Sequence, residues 1–128
     1  MKTARPLLAL MIPFALLAAC SYDRGGGSTG QIPAMMSPAD MTNQEAAAKN
    51  NEGVDHLVQS HYDVSAKHFR DAIAAKPNFA EAHFNLGLAL DGMGNHPDAT
   101  ESFKKAKEFG ANNPKIAENA ILKKHLGM

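Results

Sequence analysis

The sequence has few aromatic residues, almost no cysteine and no excess of either charge. It contains no tryptophan, two tyrosines and one cysteine, and its 13 basic side chains balance 13 acidic ones. Without a basic surface there is no electrostatic case for binding nucleic acid. Alternating runs of valine, isoleucine and aromatic residues are also missing, whereas alanine is abundant. The composition therefore indicates helices rather than strands.

The apolar run at the N-terminus is too short to cross a membrane. It covers residues 6–19, which is 14 residues, whereas a spanning helix needs about 20. The run follows Lys2 and Arg5 and ends in small residues, as in an export signal peptide. The Leu-Ala-Ala-Cys sequence that ends at Cys20 resembles the bacterial lipobox. In that motif a lipid is attached to the cysteine thiol and the peptide is cut just before it, so residues 1–19 are predicted to be removed.

A lipid on Cys20 would also explain the lone cysteine. An unpaired cysteine in an exported protein otherwise implies an intermolecular disulfide or a free thiol. The alternative is an ordinary signal peptide that happens to end near a cysteine. Loss of residues 1–19 leaves 11 basic and 13 acidic side chains, a net charge of −2, with no polybasic patch for anionic lipid. By resemblance to Gram-negative lipoproteins, Ser21 rather than aspartate after the cysteine points to the outer membrane, facing the periplasm.

Residues 20–41 are predicted to be the lipidated cysteine and a flexible linker. Nine of these 22 residues are glycine, serine or proline, and few bulky residues could bury themselves. Met35, Met36 and Met41 are the only hint of chemistry in it, because thioethers are ligands for copper(I). No cysteine or histidine lies near them, and chance clustering is the competing interpretation.

Residues 42–128 are predicted to form one all-helical domain. Thr42 and Glu45 have the spacing of a capping box. Asn113 precedes Pro114, whose missing N–H costs nothing at the first helical position. Gly94 lies where a helix should stop. The predicted helices cover residues 43–59, 63–75, 79–93, 97–109 and 114–126.

The domain repeats itself at an offset of 34 residues. Helix–turn–helix units of this period are the signature of the tetratricopeptide repeat, which the domain resembles. Leu86-Gly87, Leu90 and the Ala99-x-x-x-Phe103 element match the motif of that family. We therefore expect small residues where the two helices of a unit cross, with phenylalanine filling the gap between them. The matching pairs are Asn51 with Asn85, Gly53 with Gly87, Phe69 with Phe103 and Ala72 with Ala106.

The resemblance implies two repeats and a C-terminal capping helix, with some departures from the family pattern. His83 and Lys49 stand where the family prefers tryptophan, and Glu52 replaces leucine in the first copy. On a helical wheel of residues 114–126, Leu122 and Leu126 point away from the apolar face. These two leucines are either a contact with a second subunit, as in a possible homodimer, or singly exposed residues.

No catalytic or metal site is predicted. The six histidines form no His-Glu-x-x-His motif, no i,i+4 pair and no pair with cysteine. Glycines 25–27 are not followed by the lysine of a phosphate-binding loop. We expect a protein that is not an enzyme and has no cofactor other than the covalent lipid. The histidines are His56, His61, His68, His83, His96 and His125.

The resemblance also implies a groove lined by the first helix of each repeat. In this family an asparagine at the position of Asn51 and Asn85 often holds the backbone of an extended peptide, since a side-chain amide both donates and accepts. The competing interpretation is that these asparagines are ordinary polar residues on the solvated face of a helix. The cationic clamp of some members is not evident, because Asn50 stands where its lysine would be. The predicted groove residues are Asn50, Asn51, Val54, Leu57, Val58, Glu81, Phe84, Asn85, Leu88 and Asp91.

Three functions fit these features. The leading hypothesis is a lipid-anchored adaptor that binds protein partners during assembly of an envelope complex, such as secretion, pilus or cell-wall machinery. The alternative is a regulatory subunit that positions a cell-wall hydrolase. A third is a metal or haem accessory carrier that uses the histidines and methionines.

Overall fold

The computed structural model describes residues 32–128. The predicted signal peptide, Cys20 and linker residues 21–31 lie outside that range. The described residues contain helices and no strand, which confirms the all-α prediction. None of these helices is long and apolar enough to cross a membrane. The helices are α1 (Gln44–Val58), α2 (Tyr62–Ala75), α3 (Ala80–Gly92), α4 (His96–Phe109), α5 (Pro114–Ala117) and α6 (Ala120–His125).

Asparagine side chains begin four of the six helices. Asn43 Oδ1 accepts a hydrogen bond from Ala46 N at 3.0 Å, which satisfies a backbone donor that the helix leaves free. Its Nδ2 donates to Ala75 O at 2.9 Å, so the start of α1 is joined to the end of α2. Gly94 closes α3 with a φ of 78°, a conformation that glycine adopts without strain. The other asparagine caps are Asn95, Asn113 and Asn119.

The two helices of each repeat meet where a phenylalanine ring covers a glycine. A Cβ added to Gly53 would lie 2.5 Å from Phe69 Cε1, and one added to Gly87 would lie 2.7 Å from Phe103 Cε1. Both rings are fully buried. The predicted contact between a glycine and a phenylalanine ring, here called the joint, is therefore present in both repeats. It allows α1 to pack on α2 and α3 on α4.

The C-terminal capping helix was predicted to be continuous, and this prediction is wrong. Residues 114–126 form two short helices, because Asn119 leaves the helical conformation and its Oδ1 accepts from Ile121 N at 3.0 Å and Leu122 N at 3.3 Å. The break rotates α6 relative to α5. As a result Leu122 is fully buried, and Leu126 is half-buried against the same core. The wheel that placed both leucines on an outer face is therefore wrong for Leu122, which is not available for contact with a second subunit, whereas Leu126 is still partly accessible.

Residues 32–41 pack against the helices, although the sequence predicted a flexible linker as far as Met41. Met41 is buried beside Phe79 and Ala82 in a small second cluster. Ile32, Ala34 and Met35 pack against the main core. The described part of the predicted linker therefore belongs to the folded domain.

Candidate functional site

Residues 32–37, here called the strap, lie across the surface formed by α1 and α3, here called the α1–α3 groove. The strap has no helical or strand structure. It begins with a γ-turn at Pro33, in which Ala34 N donates to Ile32 O at 2.8 Å. Proline suits this position because its ring fixes φ near the required value. The backbone N–H and C=O groups of the strap are thus not paired within a helix or a sheet, and the groove can bind them.

Asn85, on α3, binds both backbone groups of one strap residue. Its Oδ1 accepts from Met35 N at 2.7 Å, and its Nδ2 donates to Met35 O at 2.7 Å. One carboxamide therefore forms a matched pair of hydrogen bonds with one residue of the bound segment. This contact reads the backbone and is independent of the side chain at Met35.

Asn50, on α1, completes the contact from the other helix. Its Nδ2 donates to Met35 O at 3.0 Å and to Ser37 Oγ at 3.2 Å. Its Oδ1 accepts from Asn85 Nδ2 at 2.9 Å, so the two asparagines orient each other across the groove. Both side chains are 0% exposed. A buried amide without partners costs about 1–3 kcal/mol, and the strap supplies part of what these two require.

Asn51 and the backbone of α1 hold the end of the strap. Ser37 N donates to Asn51 Oδ1 at 2.9 Å, and Ser37 Oγ donates to Ala47 O at 3.1 Å. Asn51 and Asn85 occupy equivalent positions in the two repeats, and each binds a strap backbone group. The asparagine pattern in the sequence therefore marks the residues that hold a non-helical segment in this structure.

The other predicted groove residues divide into core and surface. Val54, Leu57 and Leu88 are buried members of the main core. Phe84 is also fully buried, with its ring centroid 5.5 Å from that of Phe103. Truncation of Phe84 would therefore damage the core, so it cannot serve as a test of binding alone. Val58 is 57% exposed.

The two predicted acidic groove residues have partners within the domain. Glu81 Oε1 accepts from Asn113 Nδ2 at 3.1 Å. Asp91 Oδ1 lies 2.7 Å from His96 Nδ1 and 3.3 Å from His125 Nε2. Asp91 therefore connects the end of α3 to the start of α4 and to α6, and its position is explained by the fold.

Five of the six histidines gather in two places, which their sequence spacing did not indicate, and His83 lies apart from them beside Phe109. His56 and His68 stack with ring centroids 5.3 Å apart, and His61 lies 5.8 Å from His56. The second place is the group around Asp91. In residues 32–128 no three histidine, cysteine or acidic side chains have an arrangement that could hold a metal ion. Neither group therefore provides the geometry of a metal site.

Sequence reasoning missed Met35 and Ser37 as part of the site. The strap has the composition of a linker, and its hydrogen-bond partners on the helices are 10 to 50 residues away in the chain. The resemblance to the tetratricopeptide repeat and the recurrence of asparagine at the repeat spacing pointed to this surface. No signal in the sequence indicated that the chain itself would occupy it.

Helix pairs joined by the same contact and stacked side by side define a helical-repeat interaction module. The tetratricopeptide repeat family model matches residues 50–114, just over half of the chain, and the chain belongs to this family. Repeats of this kind form scaffolds for protein–protein interaction. No curated protein matches the chain.

Proposed function

We propose that this chain is a lipid-anchored adaptor that binds a non-helical segment of a protein partner in the α1–α3 groove. The lipid on Cys20 would hold the complex at the outer membrane, facing the periplasm. There the adaptor would serve the assembly of an envelope complex, such as secretion, pilus or cell-wall machinery.

The observation that carries the binding function is the double hydrogen bond between Asn85 and Met35. Both bonds are 2.7 Å long, and the carboxamide that makes them is fully buried. A side chain placed in this way accepts a backbone N–H and donates to the C=O of the same residue. The geometry thus suits a peptide segment.

The observation that supports envelope anchoring is the lipobox-like sequence ending at Cys20. Cys20→Ala removes the only thiol in the chain, so we expect a full-length precursor that takes up no labelled palmitate. The wild type should run as a shorter, labelled band on the same gel. Label retained by the variant would contradict the lipid anchor and leave the groove proposal untouched.

The experiment that tests the binding function is affinity capture from solubilised envelopes. Because the strap uses the same carboxamide, the comparison is made in a chain carrying Met35→Pro, which removes the strap N–H that Asn85 accepts. In that chain Asn85→Ala removes both bonds to a partner backbone, each worth about 0.5–1.5 kcal/mol, so capture should fall by roughly tenfold or more. Asn112→Ala is the matched control, because Asn112 is an exposed asparagine away from the groove. Circular dichroism at the capture temperature checks that both variants are folded. Equal capture with and without Asn85→Ala in the Met35→Pro chain would contradict the proposed site.

A further inference from the structure

The groove contacts the strap at alternating places along its length. The side chains of Ile32, Ala34 and Met35 are half-buried against the core. By contrast, Pro33 is exposed and Met36 is 54% exposed. The groove therefore has selective contact with some strap side chains, in addition to the backbone bonds.

Ser37 is the most specifically bound strap residue. Its hydroxyl donates to Ala47 O at 3.1 Å and accepts from Asn50 Nδ2 at 3.2 Å, while its N–H donates to Asn51 Oδ1 at 2.9 Å. Alanine could make only the last of these. A hydroxyl residue two positions after the residue held by Asn85 is therefore part of what the groove recognises.

The strap is attached to the domain at a point separate from the groove contacts. Met41 is buried in the second cluster, and its carbonyl accepts from Gln44 Nε2 at 2.7 Å. The chain between Ser37 and Met41 carries the exposed Pro38, Ala39 and Asp40. The link between strap and domain is thus short, fixed at Met41 and open to solvent in between.

We infer that residues 32–37 are an internal copy of the ligand and compete with it for the groove. This inference rests on the proposed function and names the chemistry of the partner. The partner segment has an aliphatic residue, a proline turn, a small residue, then an unbranched apolar residue and, two positions later, a serine. Because the strap is tethered beside its site, its effective concentration is of millimolar order, and a partner binds only the fraction of molecules in which the strap is released.

The test uses a fluorescent synthetic peptide, Gln-Ile-Pro-Ala-Met-Met-Ser-Pro, copied from residues 31–38. Its binding to the full chain, as the host produces it and in mild detergent, is followed by anisotropy. Met35→Pro in the protein removes the N–H that Asn85 accepts, so the strap is released and the peptide should bind at least about tenfold more tightly than to wild type. Adding Asn85→Ala to this variant should abolish the gain.

Two controls complete the test. A peptide with alanine in place of serine should bind about tenfold more weakly, since it loses two side-chain hydrogen bonds, and a scrambled peptide should also bind more weakly than the original. Ser37→Ala in the protein is a second way to weaken the strap, and it constrains no backbone angle near α1. It should increase binding of the original peptide in the same direction as Met35→Pro.

Equal peptide affinity for wild type and both strap variants would overturn the inference, as would absence of binding to either variant. Equal binding of the scrambled peptide would also overturn it. If envelope capture still depends on Asn85 in any of these cases, the proposed function stands and only the internal-ligand inference fails. If capture does not depend on Asn85, the proposed function fails whatever the peptide does.

Discussion

The first repeat, α1 and α2, and the second repeat, α3 and α4, share one joint but differ in how their inner helix is covered. Ten of the 13 residues of α3 are buried, against five of the 15 in α1. Helix α3 is enclosed by α1, α2, α4 and α5, whereas α1 is at the end of the stack. A terminal repeat has a neighbouring repeat on one side only, and the strap adds cover to the surface that α1 shares with α3.

The asparagine at the same repeat position therefore differs between the two repeats in its burial and in its number of hydrogen bonds. Asn85 is fully buried and binds both backbone groups of Met35. Asn51, its equivalent, is partly exposed and accepts a single bond from Ser37. The repeated sequence determines where an asparagine stands, and the number of neighbouring helices determines what it costs to leave that asparagine unpaired.

The largest difference in stability between the repeats should appear when the phenylalanine of the joint is truncated to alanine. Phe103→Ala should cost about 3–5 kcal/mol of unfolding free energy, much of the roughly 5 available to so small a domain. Phe69→Ala should cost less, because Phe103 also contacts the rings of Phe84, at 5.5 Å, and His125, at 4.8 Å. Urea unfolding followed by circular dichroism measures both. A larger loss for Phe69→Ala would reverse the comparison.

A smaller loss of stability is expected when the glycine of the joint is replaced by alanine. Gly87→Ala and Gly53→Ala each place a methyl group within 2.7 Å of a buried ring, which costs about 1–3 kcal/mol. Alanine is favoured over glycine inside a helix by about 1 kcal/mol, so each variant should lose about 1 kcal/mol net. The same urea titration checks this. A stabilised Gly87→Ala would mean that α3 and α4 are not in close contact there.

The caps at the two ends of the domain allow a third comparison. Asn119→Ala removes the cap of α6 and should cost about 1 kcal/mol. Asn43→Ala should cost more, since Asn43 caps α1 and also donates to Ala75 O at 2.9 Å. Thermal unfolding of both variants gives the order. If Asn119→Ala has no effect, α5 and α6 are one continuous helix after all.

The pH dependence of stability should differ between His83 and its repeat equivalent, Lys49. Burial lowers the pKa of His83, whose Nε2 lies 2.8 Å from Pro77 O. The unfolded chain therefore takes up this proton first, so stability is unaffected above about pH 6.5 and is lost as the pH falls below it. His83→Gln should flatten the acid side of the stability curve. Lys49→Gln should leave the curve near pH 6.5 unchanged, because Lys49 is protonated there in both the folded and the unfolded chain. Its effect on the acid side comes through Glu52, whose pKa Lys49 lowers from 4.5, and so appears only at lower pH.

The repeat architecture was predictable from the sequence because its determinants are local and periodic. Gly53 and Gly87, each followed 16 residues later by the phenylalanine that covers it, fix the joint. The predicted helix over 43–59 matches α1 to within one residue at each end. The break at Asn119 was not predictable from a helical wheel, since a wheel assumes a continuous helix. Asparagine there satisfies a new helix start better than it continues the old one.

The strap was not predictable for a different reason. Its residues have no periodicity, and its stability comes from side chains on two helices that only the folded chain brings together. Asn50 and Asn85 are 35 residues apart in sequence, yet they share a 2.9 Å hydrogen bond and one bound peptide unit. A composition that indicates a linker is equally suitable for a segment held through its backbone.

Hydrogen exchange at single strap amides tests the central claim, that buried asparagines in the groove hold a peptide backbone. In the full chain, the amides of Met35 and Ser37 donate to Asn85 and Asn51. By NMR, both should exchange at least about tenfold more slowly than the same amides in the free peptide. Asn85→Ala should remove the protection at Met35, and the exposed Asn112→Ala should leave it unchanged. If Met35 exchanges at the free-peptide rate in wild type, the groove does not hold this backbone and the account is contradicted.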